Sequence, residues 1–511
     1  MTASSYVVAF VLAAGAGACG GDEVFVPRLA DSERLLDTIA VARLAKDDQR
    51  IGQAKVVGDL DGDGVDDVVF STSYVVPTPD NSFPSESDVY VLYGGSAASG
   101  PIDLANLPRL TGAHGYGSGV TVGVVGDVDG DGLADVLVTA ARGRNCVGYE
   151  SGPGEDIATG AYLIYGSATR LTGSQWVGAA SVFLRDPTPC SNESAVVGLG
   201  DLDGDGKGDF AIARRGDSEA EVFVFYGRAE RATGVIDMRA TADAVITSPT
   251  SDGYEGAVAR LGDVDGDGHS DFMLSAAIPD VTDLRLVRGS ATRLAGRVTP
   301  AEISSTLIVG NEPCFDDIGA ALGDLDGDGT DDFALASCHE TRGPGGFDAT
   351  MSQRVFYGHR DGFAAQVQAG SADATITLSA ESPNGIAGGD VDGDGVRDLI
   401  VGDSSLHGGN GGVHVIKGDG TRLAGNVDPS ARATTYVGTS QRGSQCSYVL
   451  SPDCVTAALV GFTISVGDVT GDHVADVLTL APSNQLASAE LDVHGSSQGA
   501  VYLVSPSETN P

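Results

Sequence analysis

The sequence predicts an all-β fold, a β-propeller of seven four-stranded blades. Three observations carry this. An acidic nonapeptide of the form DxDGDGxxD recurs along the chain. Each copy sits in the same succession of short apolar runs. No stretch sustains a 3.6-residue apolar period, apart from a helical alternative over 31–45. Radial repetition of small sheets is one way for such a chain to protect its sheet edges.

The copies are DLDGDGVDD from Asp59, DVDGDGLAD from Asp127, DLDGDGKGD from Asp201, DVDGDGHSD from Asp263, DLDGDGTDD from Asp324, DVDGDGVRD from Asp390 and the degraded DVTGDHVAD from Asp468. They start 68, 74, 62, 61, 66 and 78 residues apart. The repeat therefore covers the chain almost end to end and overrides the two to four domains that length alone suggests.

Each blade reads the same way. A small-residue run ending in Gly-Asp, such as QAKVVGD, precedes the loop, and a β-rich run such as DVVFSTS or DFAIARR follows it. An aromatic strand comes next (VYVLYGG, AYLIYGS, VFVFYGR), then a variable fourth strand such as SVFLRD, TLIVG or ATITLSA. The last aromatic strand, AVYLVSP, stands a few residues from the final residue. The segment from Asp37 to Ala45 precedes the first loop by the spacing of TLIVG from Asp324. It is expected to pair into blade seven and close the ring.

Four carboxylates within nine residues repel one another unless a cation joins them. Asp59, Asp61 and Asp63 alternate through a tight turn, Gly62 and Gly64 permit the backbone angles it needs, and Asp67 closes the site as the next strand begins. The carbonyl of Val65 at position seven completes an all-oxygen set. Calcium takes six to eight such ligands, whereas magnesium demands a smaller and stricter octahedron. An EF-hand would need a Glu at position twelve and flanking helices, but Phe70 and Val138 stand there in β-type runs.

The DxDGDGxxD loop between two strands of each blade resembles the FG-GAP repeat of integrin alpha-subunit propellers. Tyr116-Gly117, Tyr254-Glu255-Gly256 and Phe315 with Gly319 stand where that family has Phe-Gly, and Ala481-Pro482 where it has Ala-Pro. The resemblance implies one calcium per loop, held by four Asp side chains and the seventh carbonyl. The ligands are then Asp59, Asp61, Asp63, Val65 and Asp67; Asp127, Asp129, Asp131, Leu133 and Asp135; Asp201, Asp203, Asp205, Lys207 and Asp209. In the next three loops they are Asp263, Asp265, Asp267, His269 and Asp271; Asp324, Asp326, Asp328, Thr330 and Asp332; Asp390, Asp392, Asp394, Val396 and Asp398. Loop seven offers Asp468, Thr470, Asp472, Val474 and Asp476. There Thr470 replaces an Asp, and His473 replaces a glycine where φ > 0 is favoured. That site is expected to be weak or empty.

The formal net charge of −41 excludes nucleic acid and anionic lipid surfaces as partners, since both require a cationic face. Positions one, three, five and nine of the seven loops hold 27 of the 71 acidic residues, so much of the imbalance is clustered. Residues 6–18 form an apolar run too short to span a bilayer, matching an export signal over 1–18. Cys19 would be the lipidated residue of a bacterial lipoprotein; simple secretion or a buried strand are the alternatives. A linker is expected over 19–34 and the propeller over 35–511.

The other six cysteines, Cys146, Cys190, Cys314, Cys338, Cys446 and Cys454, form an even set. Disulfides 146–190, 314–338 and 446–454 would close the shortest loops, among fifteen pairings. No cysteine spacing suggests zinc. RGDS from Arg215 reads as an exposed turn, and Asn192-Glu193-Ser194 is a sequon that matters only in a eukaryotic secretory pathway. No nucleophile elbow, HExxH or phosphate loop occurs.

The expectation is a monomeric, non-catalytic binding or adhesion module at the cell surface, exported as a lipoprotein or secreted. Its partner would be an unidentified protein or glycan, and it would meet the membrane only through the lipid. A lectin, or a calcium-assisted polysaccharide lyase or hydrolase, is the alternative.

Overall fold

In the computed structural model, the chain builds seven sheets of five strands each and a small two-stranded sheet. The described residues are 24–25, 33–35, 42–45, 50–75, 85–95, 100–114, 121–140, 159–180, 182–186, 192–215, 219–249, 258–278, 281–310, 319–343, 346–378, 385–406, 411–437, 440–441, 463–481 and 500–505. Blade one shows the plan. Arg50–Gly58 pairs antiparallel with Asp67–Val75, then comes Ser85–Leu92, then Arg109–His114. The first strands of successive blades pack against one another right round the circle, with Thr463–Gly467 of blade seven against Arg50–Gly58. The architecture is a seven-bladed β-propeller.

Strand alternation divides the core among the blade junctions. Successive residues of a strand face opposite sides of the sheet. In blade one, Val68 and Phe70 pack with Leu478 and Val501 of blade seven, while Val69 packs with Val122 and Val136 of blade two. Seven such clusters fill the seven junctions. Both faces of each sheet are therefore buried, which explains the unbroken apolar runs in the sequence.

The expectation of four strands per blade needs correction. Each sheet gains a short fifth strand that pairs parallel with its fourth. Ser174–Trp176 lies beside Arg109–His114, and Val235–Asp237 beside Val182–Asp186. These strands belong to the next blade's connection between its third and fourth strands, so each blade covers the outer edge of the one before. A single helical turn follows, such as Val177–Ala180 or Pro300–Ile303. Elements of three or four residues carry no readable period.

The same pattern recurs near the N-terminus. Glu33–Leu35 pairs parallel with Thr434–Val437 in blade six. Ala42–Ala45 pairs antiparallel with Ala500–Val504 in blade seven and parallel with Gly100–Asp103. Glu33–Leu35 and Ala42–Ala45 are thus strands and not parts of a helix.

Among the described residues, no helix is long and apolar enough to cross a membrane. The expected signal, Cys19, the RGDS motif beyond Arg215, and five of the six cysteines expected to pair lie outside the described residues. Cys338 lies in the strand Asp332–Gly343.

Candidate functional site

The seven acidic loops join the first and second strands of their blades. In loop one, Asp59 organises the turn. Its Oδ1 accepts N–H bonds from Asp61 at 3.2 Å, Gly62 at 2.6 Å and Asp63 at 3.2 Å, and its Oδ2 accepts one from Gly64 at 2.8 Å. Gly62 and Gly64 have φ of 81° and 86°, a region that a Cβ disfavours. The first-position Asp takes the sixth-position N–H on Oδ2 at 2.8–2.9 Å in every other loop too: Asp127, Asp201, Asp263, Asp324, Asp390 and Asp468.

The ninth-position Asp ties the loop to the sheet. Asp67 is fully buried, accepting N–H bonds from Leu60 and Gly94, each at 2.8 Å. Burial pushes the carboxyls of Asp67, Asp135, Asp209, Asp271 and Asp332 up to about 7, against opposing backbone hydrogen bonds. Asp398 is also raised by burial, and Asp476 reaches about 6. Such groups resist ionisation unless a positive charge lies close by.

Positions one, three and nine converge. In five loops (Asp59, Asp61, Asp67; Asp127, Asp129, Asp135; Asp201, Asp203, Asp209; Asp263, Asp265, Asp271; Asp324, Asp326, Asp332) one oxygen from each residue lies within 4.8 Å of the others. Oxygens bound at about 2.4 Å to one central cation lie at most roughly 4.8 Å apart, so the donor set fits a hard divalent ion. Asp265 Oδ1 is buried and accepts no hydrogen bond, as a lone pair kept for a cation would be.

The fifth-position Asp stands outside these groups. Asp63, Asp131, Asp205, Asp267, Asp328, Asp394 and Asp472 each accept the seventh-position N–H, from Val65, Leu133, Lys207, His269, Thr330, Val396 and Val474, at 2.8–3.0 Å.

Sequence reasoning missed the cations beside the loops. Arg170 bonds Asp61 Oδ2 through Nε and Asp63 Oδ2 through Nη2 at 2.6 Å, with its guanidinium 4.9 Å from the Tyr93 ring centre. Arg231, Arg293 and Arg422 repeat this on loops two, three and five. The signal was legible in part: Arg170 and Arg293 stand in SATRL and Arg422 in GTRL, each five residues after the Tyr, Arg or Lys that follows the third strand.

The loops form a belt. The eighth-position N–H of one loop donates to the first-position carbonyl of the loop before it: Ala134 to Asp59 at 2.8 Å, Gly208 to Asp127 at 2.7 Å, and Asp66 to Asp468 at 2.9 Å between blades one and seven. Among the described residues, the junction of blades five and six lacks this bond. A cavity of about 430 Å³ opens there, lined in part by Tyr357, Arg397, Lys417, Arg422 and Arg432.

Residues 118–154, which include loop two, match the family model of the FG-GAP repeat. The fold is that of a seven-bladed β-propeller, and one stretch of blade two is similar to the FG-GAP repeat. No curated protein matches the chain. Among solved structures, the crystal structure of the exotype rhamnogalacturonan lyase YesX is similar, with a TM-score of 0.36 and 15% identity over 89% of this chain and 72% of that one. A likeness this slight says nothing of what this chain does.

Proposed function

We propose that the protein is a calcium-binding extracellular propeller that acts as a non-catalytic binding or adhesion module. The observation that carries this is the repeated convergence of three Asp oxygens on one point in five loops. Calcium is the hard cation that the oxygen donors suit, and six complete loops would hold six ions, with the seventh weak or empty. Bound ions would stiffen the belt, and the pairing of Ala42–Ala45 with Ala500–Val504 supports ring closure by the N-terminal strand. Export, as a lipoprotein through Cys19 or by secretion, would place the module at the cell surface as a monomer, facing a protein or glycan. Disulfides among the six remaining cysteines would suit that compartment.

The cavity at the junction of blades five and six favours a second reading. Arg422 and Lys417 are committed to Asp326, Asp328 and Asp392, but Arg397 and Arg432 would suit an acidic sugar, in a lectin or in a polysaccharide lyase or hydrolase. One experiment tests both. Chelation is expected to lower the melting temperature by several degrees, because an ion bound only to the folded state stabilises it; an unchanged melt would sink the calcium reading. The calcium-loaded protein is then incubated with a polysaccharide panel. Chain shortening would replace the binding reading with the enzyme, retention alone would make it a glycan adhesin, and neither would turn the search to protein partners.

A further inference from the structure

A pattern across the blades assigns a role to the cations beside the loops. The residue directly after the third strand of each blade, its strand-end residue, is Tyr93, Tyr165, Tyr226, Arg288, Tyr357, Lys417 or Ser505 in turn. Five positions later in the following blade's own copy of that turn stands the residue that reaches back over the loop. Where the strand ends in Tyr, the following blade supplies Arg170, Arg231, Arg293 or Arg422. In loop four the reaching position is Gly362, and the strand-end residue is itself cationic: Arg288 Nη1 lies 3.0 Å from Asp265 Oδ2. A Cβ at Gly362 would meet Arg288 Nη2 at 1.5 Å, so the guanidinium fills the vacated place. In loop six the position falls at Asn510, and Lys417 Nζ lies 2.6 Å from Asp392 Oδ2.

Loop seven has lost all three parts together. Its strand-end residue is Ser505, the reaching position in blade one is Ala98, and the third-position residue is Thr470. A third-position Asp thus occurs only where one of the two positions supplies a cation.

We propose that this side chain is a fixed counter-cation for the third-position Asp. It keeps the loop, and in four junctions the neighbouring blade, ordered when no metal is bound. The reason is electrostatic. Asp61 is buried, and ionised buried carboxylates without a partner are costly. Arg170 bonds the Oδ2 atoms of Asp61 and Asp63 and leaves other lone pairs of the loop for an ion. A metal would supply the same neutralisation, so the two are anti-coupled: the loop depends on Arg170 most when it is ion-free. By linkage, removing Arg170 must then tighten metal binding at that loop. This rests on the calcium reading for its second half only.

The test compares wild type, Arg170→Gln and Arg170→Gln/Tyr93→Lys, the last rebuilding loop one in the manner of loop six. With chelator, Arg170→Gln is expected to lower the melting temperature by about 2–3 °C and Tyr93→Lys to recover most of it. With saturating calcium the loss should be less than half as large, and calorimetry should show one site several-fold tighter. Lys417→Gln repeats the test in loop six, where the strand-end residue is the cation. Equal losses with and without calcium, or no recovery by Tyr93→Lys, would overturn the proposal. Failure of calcium to change any melt would reject the metal reading instead, while the chelator series would still decide on the counter-cation.

Discussion

Loop one and the cluster around Glu221 in blade three bury carboxylates in opposite ways. Loop one sets Asp59, Asp61, Asp63 and Asp67 against a single guanidinium, Arg170. Around Glu221 the charges balance. Arg214, Arg239 and Arg297 face Glu221, Asp186 and Glu219, with Arg239 Nη1 and Nη2 at 2.7 and 2.6 Å from the two Glu221 oxygens. A balanced cluster needs nothing from outside the chain, whereas a loop left three charges short is built for a missing cation. The lesson is that burial of acid alone does not mark a metal site; an uncompensated local charge does.

The comparison is sharpened most by Glu221→Gln. It leaves the buried Arg214 with only the Asp186 carboxylate, 3.5 Å away, and should cost about 3–5 kcal/mol of stability, equally with calcium or chelator. A loss that calcium reduced would break the distinction. Burial alone would raise the Glu221 carboxyl, but hydrogen bonds from Arg239 and Arg214 bring it down from 4.5 to about 2. A depressed folded value stabilises above the unfolded value, and the contribution disappears as pH falls through the folded one. The gap between wild type and variant should therefore narrow between pH 4.5 and 2, by about 3 kcal/mol. Denaturant melts at pH 6 and pH 2.5 would show it; a constant gap would contradict the pairing.

A smaller effect distinguishes scaffold from site. Asp59→Ala and Asp468→Ala each strand several loop N–H groups that the carboxylate held. Both should cost about 2–3 kcal/mol in chelator, because loop seven keeps the hydrogen-bonded turn although it has lost other parts. With calcium the losses should diverge, and only Asp59→Ala should reduce the number of ions bound. Equal ion counts would mean that loop seven is a working site.

Much of this was legible in the sequence, for a physical reason. The turn chemistry is local: Asp59 bonds residues two to five positions away, so spacing alone encodes it. The strands were equally readable, because burial on both faces requires continuous Val, Ile, Leu and Phe. What escaped was long-range or short-lived along the chain. Arg170 meets Asp61 across 109 residues, and Glu221 meets Arg297 across 76. The fifth strands span three or four residues and follow from the neighbouring blade's edge, not from their own periodicity. The turn motif SATRL repeated visibly, yet its partner could be named only once adjacent blades were placed side by side.

The smallest prediction concerns the glycine that loop seven has lost. His473 has φ of 69°, and it is the sole non-glycine with positive φ among the described residues. The equivalent Gly64, Gly132, Gly206, Gly268, Gly329 and Gly395 lie between 84° and 91°. An L-residue held there costs roughly 1–2 kcal/mol, and glycine returns part of that through the greater freedom of its unfolded chain. The His473 ring is 92% exposed, 3.6 Å from Asp468 Oδ2, so its ion pair contributes little. His473→Gly should therefore stabilise the protein by about 0.5–1 kcal/mol, while Gly395→His in loop six should destabilise it by a similar amount or more. Should His473→Gly lower the denaturation midpoint, the histidine would be a selected contact of loop seven rather than a residue tolerated after the site was lost. Loop seven would then be a separate device, and the contrast between a complete and a decayed loop would have to be redrawn.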